Sequence, residues 1–193
     1  PGGLSQPSRN TDSDKFFVRF DWNVNERNNL TFRHNYVDAT NVILSASSST
    51  YTFPNAGYDF KSETNSTVAQ LNSVIGDDMF NEARLTYQTI RDNRKWIGDR
   101  FPSVFINNLS NTSSNFSAGS EDFSTANALD QDILEIHNDF SFFVGDHEVV
   151  VGTHNEFYKF SNLFIQQAFG AYSFNSIEDF YAGNAYQYDY TFS

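Results

Sequence analysis

The segment EIHND places Glu135, His137 and Asp139 two residues apart. In an extended chain an acid, an imidazole and a second acid then point the same way. Such groups ligate divalent metals or pass protons. Their spacing limits that chemistry, because same-face neighbours on a strand lie about 7 Å apart at a rise of about 3.4 Å per residue. That is wide for one shared ion. The row reads as a wet strand face bonded to its neighbours, and no metal site or cofactor is expected from it.

The remaining chemistry-bearing residues are dispersed. His34, His147 and His154 lack the helical spacing of metal-binding pairs and read as isolated, hydrogen-bonded histidines. GDDM (76–79) and ALDQD (128–132) put acids near turns without the ligand periodicity of a calcium loop. NLT, NST, NLS, NTS and NFS match the glycosylation pattern, which arises readily by chance in so Asn- and Ser-rich a chain. With no Gly-rich phosphate loop, nucleophile elbow or cysteine, no enzymatic activity is expected. Trp96, Phe101, Phe105 and Phe116 cluster in one long connection, as a gripping surface for a ligand or as packing for the loop itself.

The elements that carry these residues announce themselves in DKFFVRFDWNVNERNNLTFRHNYVD, residues 14–38. Phe16, Val18, Phe20 and Trp22 fall on one side of an extended chain, and Phe17, Arg19, Asp21 and Asn23 on the other. That period of two predicts a strand, and NERN (25–28) turns it into a second strand bearing Leu30, Phe32 and Tyr36 against Arg33. TVAQLNSVI, GDDM and NEARLTYQTI repeat the hairpin, with Leu71, Leu85 and Tyr87 opposing Glu82 and Arg84. In DILEIHNDFSFFV a helical stripe (Ile133, Ile136, Phe140, Phe143) competes with a strand face (Leu134, Ile136, Phe140, Phe142). The tight GDH turn and the Val run after it favour the strand.

Strands are therefore expected at about 15–24, 29–38, 64–75, 80–91, 132–144, 148–160 and 185–193. A linker precedes them at 1–13, and long loops fall at 39–63, 92–131 and 161–184. Composition agrees, with 17% aromatic and only 19% charged residues in a 193-residue chain. A net charge of −12 without a basic run argues against a nucleic-acid surface. No stretch approaches the roughly 20 apolar residues of a membrane helix, and no apolar leader opens the chain.

Strands of about ten residues, joined alternately by tight turns and long loops, are the pattern of an antiparallel up-and-down transmembrane β-barrel. Hydrocarbon offers no hydrogen bonds, so strands cross it only in a closed sheet. About seven strands fall short of closure, and the chain is expected to be a piece of a larger barrel in the outer membrane. On this reading Phe16, Val18, Phe20, Trp22, Leu30, Phe32, Tyr36, Leu71, Leu85, Tyr87, Leu134, Ile136, Phe140 and Phe142 face lipid. Arg19, Asp21, Arg33, Glu82, Arg84, Glu135, His137 and Asp139 face the lumen, where Lys15, Arg19, Asp21, Arg33, Glu82 and Arg84 read as cross-strand charge pairs.

NTDSDKFFVRFDWNVNERNNLTFRHNYVDA, NSTVAQLNS, NEARLTYQTIRDNR, YSFNSIEDFYAG and the block FSTANALDQDILEIHNDFSFFVGDHEVVVGTHNEFYKFSNLFI, the most specific of the five, are similar to the barrel portion of Oar-like TonB-dependent outer-membrane receptors. These are large proteins with an N-terminal carboxypeptidase-regulatory-like domain. The resemblance implies a barrel of about 22 strands around a plug, importing a scarce substrate with energy from an inner-membrane TonB complex. A structural or interaction subunit of an envelope complex or filament, pairing its edge strands with other chains, is the alternative. A secreted β-sandwich that binds carbohydrate is a third.

Overall fold

In the computed structural model, which describes residues 8–45, 47–109, 114–123 and 126–192, the chain builds two sheets. The strands are β1 (Thr11–Asn25), β2 (Asn28–Ile43), β3 (Thr50–Thr52), β4 (Tyr58–Ile75), β5 (Met79–Trp96), β6 (Ser103–Ile106), β7 (Asn115–Ala118), β8 (Ala126–Val144), β9 (His147–Ile165), β10 (Ala171–Phe174) and β11 (Gln187–Asp189). The six long ones form a wall in the order β1-β2-β4-β5-β8-β9, every neighbour antiparallel. The wall is open, with β1 and β9 as its edges.

The hairpins close where the turn residues stand. Glu26 and Arg27 join β1 to β2, and Gly145, at φ 60°, opens the two-residue turn between β8 and β9. That left-handed position is one glycine takes without strain. Arg27 also ties the first turn to the second, its Nη1 donating to the Gly76 carbonyl at 2.9 Å.

Wall strands run 15 to 19 residues, well past the expected ten. From Asp38 on, the face that was apolar carries Asp38 with Glu63 and Thr40 with Lys61, while the other mixes Ala39 with Ser62 and Asn41 with Phe60, so the period-two signal fades. Backbone pairing continues without it, because the ladder needs only N–H and C=O groups. β1 likewise begins at Thr11, paired with Asn41, inside the stretch expected as linker, whose residues 1–7 lie outside the described ones.

The long connections are the second departure. They contribute β3, β6, β7, β10 and β11 to a five-stranded sheet ordered β11-β10-β6-β7-β3, with β10 parallel to β6 and β3 parallel to β7. Residues 185–193, expected as a seventh wall strand, instead supply Gln187–Asp189 to the edge of this loop sheet. There they take the side of β10 not paired with β6, and Tyr172 and Tyr188 meet with ring centroids 4.4 Å apart. A short helix, α1 (Ile177–Ala182), lies between β10 and β11, its first turn capped by Ser176 and its end by Gly183 at φ 73°.

The buried apolar side chains among the described residues are Ala56, Ile106, Ala118, Ala171 and Phe174, all in or beside the loop sheet. Among the described residues the wall has no second layer. Its Phe, Trp and Leu rows are exposed instead.

Candidate functional site

The register sorts the wall's side chains into two faces. Phe20, Phe32, Ala69, Leu85 and Ile136 form one cross-strand row, with Val18, His34, Thr67, Tyr87 and Leu134 the next. Phe16 stands beside Tyr36, Trp22 beside Leu30 and Leu71, and Phe140 and Phe142 continue the same face along β8. All fourteen residues expected to meet lipid thus share one face of the sheet. The apolar stretch slides toward the turns from β1 to β8, since the row of Phe16 ends at Asp132 while that of Val18 ends at Leu134. Tilted barrel strands give such a stagger.

Polar residues that intrude on this face find partners. His34 Nδ1 lies 2.9 Å from Thr67 Oγ1, and Asn81 and Asn138 exchange side-chain amide bonds at 3.1 and 3.2 Å. Satisfied polar groups of this kind are tolerable away from water, where unpaired ones cost several kcal/mol. Above the apolar stretch the face turns charged: Lys61 Nζ meets Asp38 at 3.0 Å and Arg91 pairs with Asp132.

The opposite face carries Arg19, Asp21, Arg33, Glu82, Arg84, Glu135, His137 and Asp139 together, with Phe17, Val68 and Ile133 among them. The expected cross-strand charge pairs are not what forms. Arg19 stands directly opposite Arg33, and its guanidinium turns along its own strand to Asp21 at 2.7 Å. Arg84 likewise leans to Glu82 at 3.9 Å, and Lys15 faces Val37. A long guanidinium spans the same-face spacing, while like charges across a strand pair repel.

Exposure on the two faces is inverted relative to a water-soluble sheet. Thr86 on β5 is 8% exposed, whereas its neighbours Leu85 and Tyr87, pointing the other way, are 49% and 50% exposed. Thr31 on the polar face is also buried, at 6%. Polar side chains converge and apolar ones splay, as on the inner and outer surfaces of a curved wall.

Two residues of β9 join the EIHND row, Glu156, which the sequence did not single out, and His154, which it left isolated. Glu156 on β9 stands directly opposite Glu135, and His154 opposite His137. His154 Nε2 lies 3.1 Å from Glu156, His137 Nε2 3.0 Å from Asp139, and the two imidazole rings meet edge to face at 5.6 Å. His154 is not isolated. The THNE stretch carried the signal, a histidine and an acid two apart, but which strand it would face was not written there.

The four loop aromatics do not form one surface. Trp96 ends β5 with the Arg100 guanidinium 3.7 Å over its ring and Phe169 against its edge. Phe101 and Phe116 line an apolar cavity of about 270 Å³ with Phe53, Val104, Ile106 and Phe180, while Phe105 lines a different one beside Ser103 and Asp122. Burial pushes the Asp122 carboxyl above the ordinary carboxylate range. The folded loop sheet therefore binds this proton more readily than the unfolded chain does. Its stability falls as pH rises through the folded value. Replacing Asp122 with Asn is expected to strengthen the loop sheet at neutral pH and flatten its pH dependence, followed as protease cleavage of the loops between pH 4 and 8. An unchanged cleavage profile contradicts this.

The family described as Outer membrane beta barrel domain matches residues 3–193 of this chain. The chain belongs to that family. No curated relative and no solved structure matches it. This outer-membrane barrel domain is thus an all-β, antiparallel membrane structure of long hairpins, and no helix among the described residues is long and apolar enough to cross a bilayer. Its environment is the lipid of the outer membrane.

Proposed function

We propose that this barrel domain is part of a TonB-dependent receptor that takes up a scarce substrate across the outer membrane, its apolar face on lipid and its polar face on a plugged lumen. The observation that carries the reading is the open wall. β1 and β9 leave a ladder edge each, and six strands close no barrel wide enough for a lumen. On this reading further strands continue the sheet, in keeping with the resemblance to large plugged receptors. Exposed apolar side chains such as Phe20, Leu85 and Tyr87, with Thr31 and Thr86 buried on the polar face, support the assignment of faces.

Energised uptake is the test. Cells carrying the protein should draw a scarce solute from the medium, and collapsing the inner-membrane proton gradient should abolish that uptake while leaving the barrel in the outer membrane. Equilibration indifferent to the gradient overturns the transporter reading.

The same free edges favour one other role, a subunit that pairs with a different chain. Photo-crosslinkers on β1 and β9 separate the two. Products confined to one polypeptide support the large barrel, and a product joining two polypeptides supports the subunit.

A further inference from the structure

We propose that Glu135, His154 and Glu156 form a binding site for a first-row divalent transition metal of the Zn2+ type on the polar face of the wall. Along one strand the backbone spacing is wide, yet side chains can lean across it, as His154 does to Glu156 at 3.1 Å, and across a strand pair directly opposed Cβ atoms come within about 4.5–5.5 Å. The register exploits that shorter distance. One ligand atom from each of Glu135, His154 and Glu156 lies within 4.8 Å of the other two.

Electrostatics point to a cation. Glu135 and Glu156 are directly opposed like charges, an arrangement that destabilises a sheet unless something neutralises it. Glu82 faces Asp139 from β5 in the same way. Four carboxylates share this patch with one guanidinium, that of Arg84, which stands opposite His137 and leans to Glu82. Mixed imidazole and carboxylate donors suit Zn2+, Fe2+ or Ni2+ better than Mg2+ or Ca2+, which favour oxygen alone. Three protein donors leave coordination positions open to water or to a solute passing along the face.

The neighbours are built to match. Asp139 takes the Nε2 of His137, whose Nδ1 is enclosed without a hydrogen-bond partner. Gly152 stands opposite Asp139, and a Cβ there would overlap the Asp139 carboxylate. The missing side chain leaves that acid room to lean over β9. His137 thus flanks the proposed site, held by Asp139 beside His154.

The inference rests on the reading above in one respect: the face must be wet. The probe is Co2+, which stands in for Zn2+ and absorbs visible light when imidazole and carboxylate displace its water. Detergent-extracted protein should develop a saturable absorption that Zn2+ displaces. His154→Ala should weaken binding by about tenfold or more, Glu135→Gln and Glu156→Gln should weaken it too, and His34→Ala, on the apolar face, should leave it unchanged. Heat-modifiable gel migration shows that each variant still folds. A folded protein without saturable absorption, or a His154→Ala variant that binds like the wild type, overturns the site. Gln70→Cys separates this from the reading of the faces. A cysteine there that reacts with a charged maleimide while Co2+ does not bind sinks the metal site alone, whereas an unreactive one sinks the wet face and the site with it.

Discussion

Arginine in place of Leu85 should destabilise the folded wall by about 2–4 kcal/mol, the cost of a basic side chain near the midplane of a membrane barrel. Leu85 sits on β5 between Ala69 and Ile136, well inside the apolar stretch, and half of its surface is exposed with no protein layer over it. On the proposed orientation hydrocarbon covers it. An arginine there has to drag water into the bilayer or bend toward the headgroups. Gln88→Arg, on the same strand but the polar face, should stay close to the wild type. Urea titration in lipid vesicles, read by tryptophan fluorescence, measures both. Equal tolerance of the two arginines would remove the basis for the lipid-facing assignment.

The second large effect belongs to the loop sheet. Gly119 follows β7 with φ at 95°, and a Cβ there would overlap the Pro102 carbonyl oxygen and lie 2.7 Å from Ser103 Cα. Those are backbone atoms at the start of β6, so no side chain can swing aside. The same spot is where Ser103 Oγ donates to the Ser120 carbonyl. Gly119→Val combines a left-handed backbone cost of roughly 1–2 kcal/mol with forced separation of β6 from β7. Because β6 is the central strand, its separation from β7 should split the sheet, leaving β7 paired with β3 alone. The expected result is rapid protease cleavage near residues 100–120 while heat-modifiable migration, a property of the wall, is retained. A variant whose loops resist protease like the wild type would show that the gathering of the loops does not depend on that close approach.

The two experiments address parts of the molecule that were unequally legible in the chain. The wall's faces were readable because alternation is local: Phe16, Val18, Phe20 and Trp22 declare their side within seven residues, whatever β2 does. Strand length was not, since past Asp38 and Glu63 polar and apolar residues mix on the two sides and nothing in the pattern says that pairing goes on. Loop strands such as Ser103–Ile106 and Ala171–Phe174 are four residues each, too short for any period to emerge. Their parallel pairing joins segments more than sixty positions apart.

The candidate metal site divides along the same line. Glu135, His137 and Asp139 were visible as a row, and so was their spacing, which by itself argued against a shared ion. That His154 and Glu156 would stand across from them depends on where the Gly145 turn sets the register, since a shift of one residue would put both on the other face.

From the order of its residues alone, then, this protein was determined to be a two-faced antiparallel sheet suited to the outer membrane, because strand alternation reports the solvent on each side of a backbone. Only the folded arrangement decided which strands lie beside which, how the long connections share one sheet, and which acids and histidines confront each other. Those are relations between distant segments, settled by register and by the need to pair backbone groups, and no stretch of neighbouring residues encodes them.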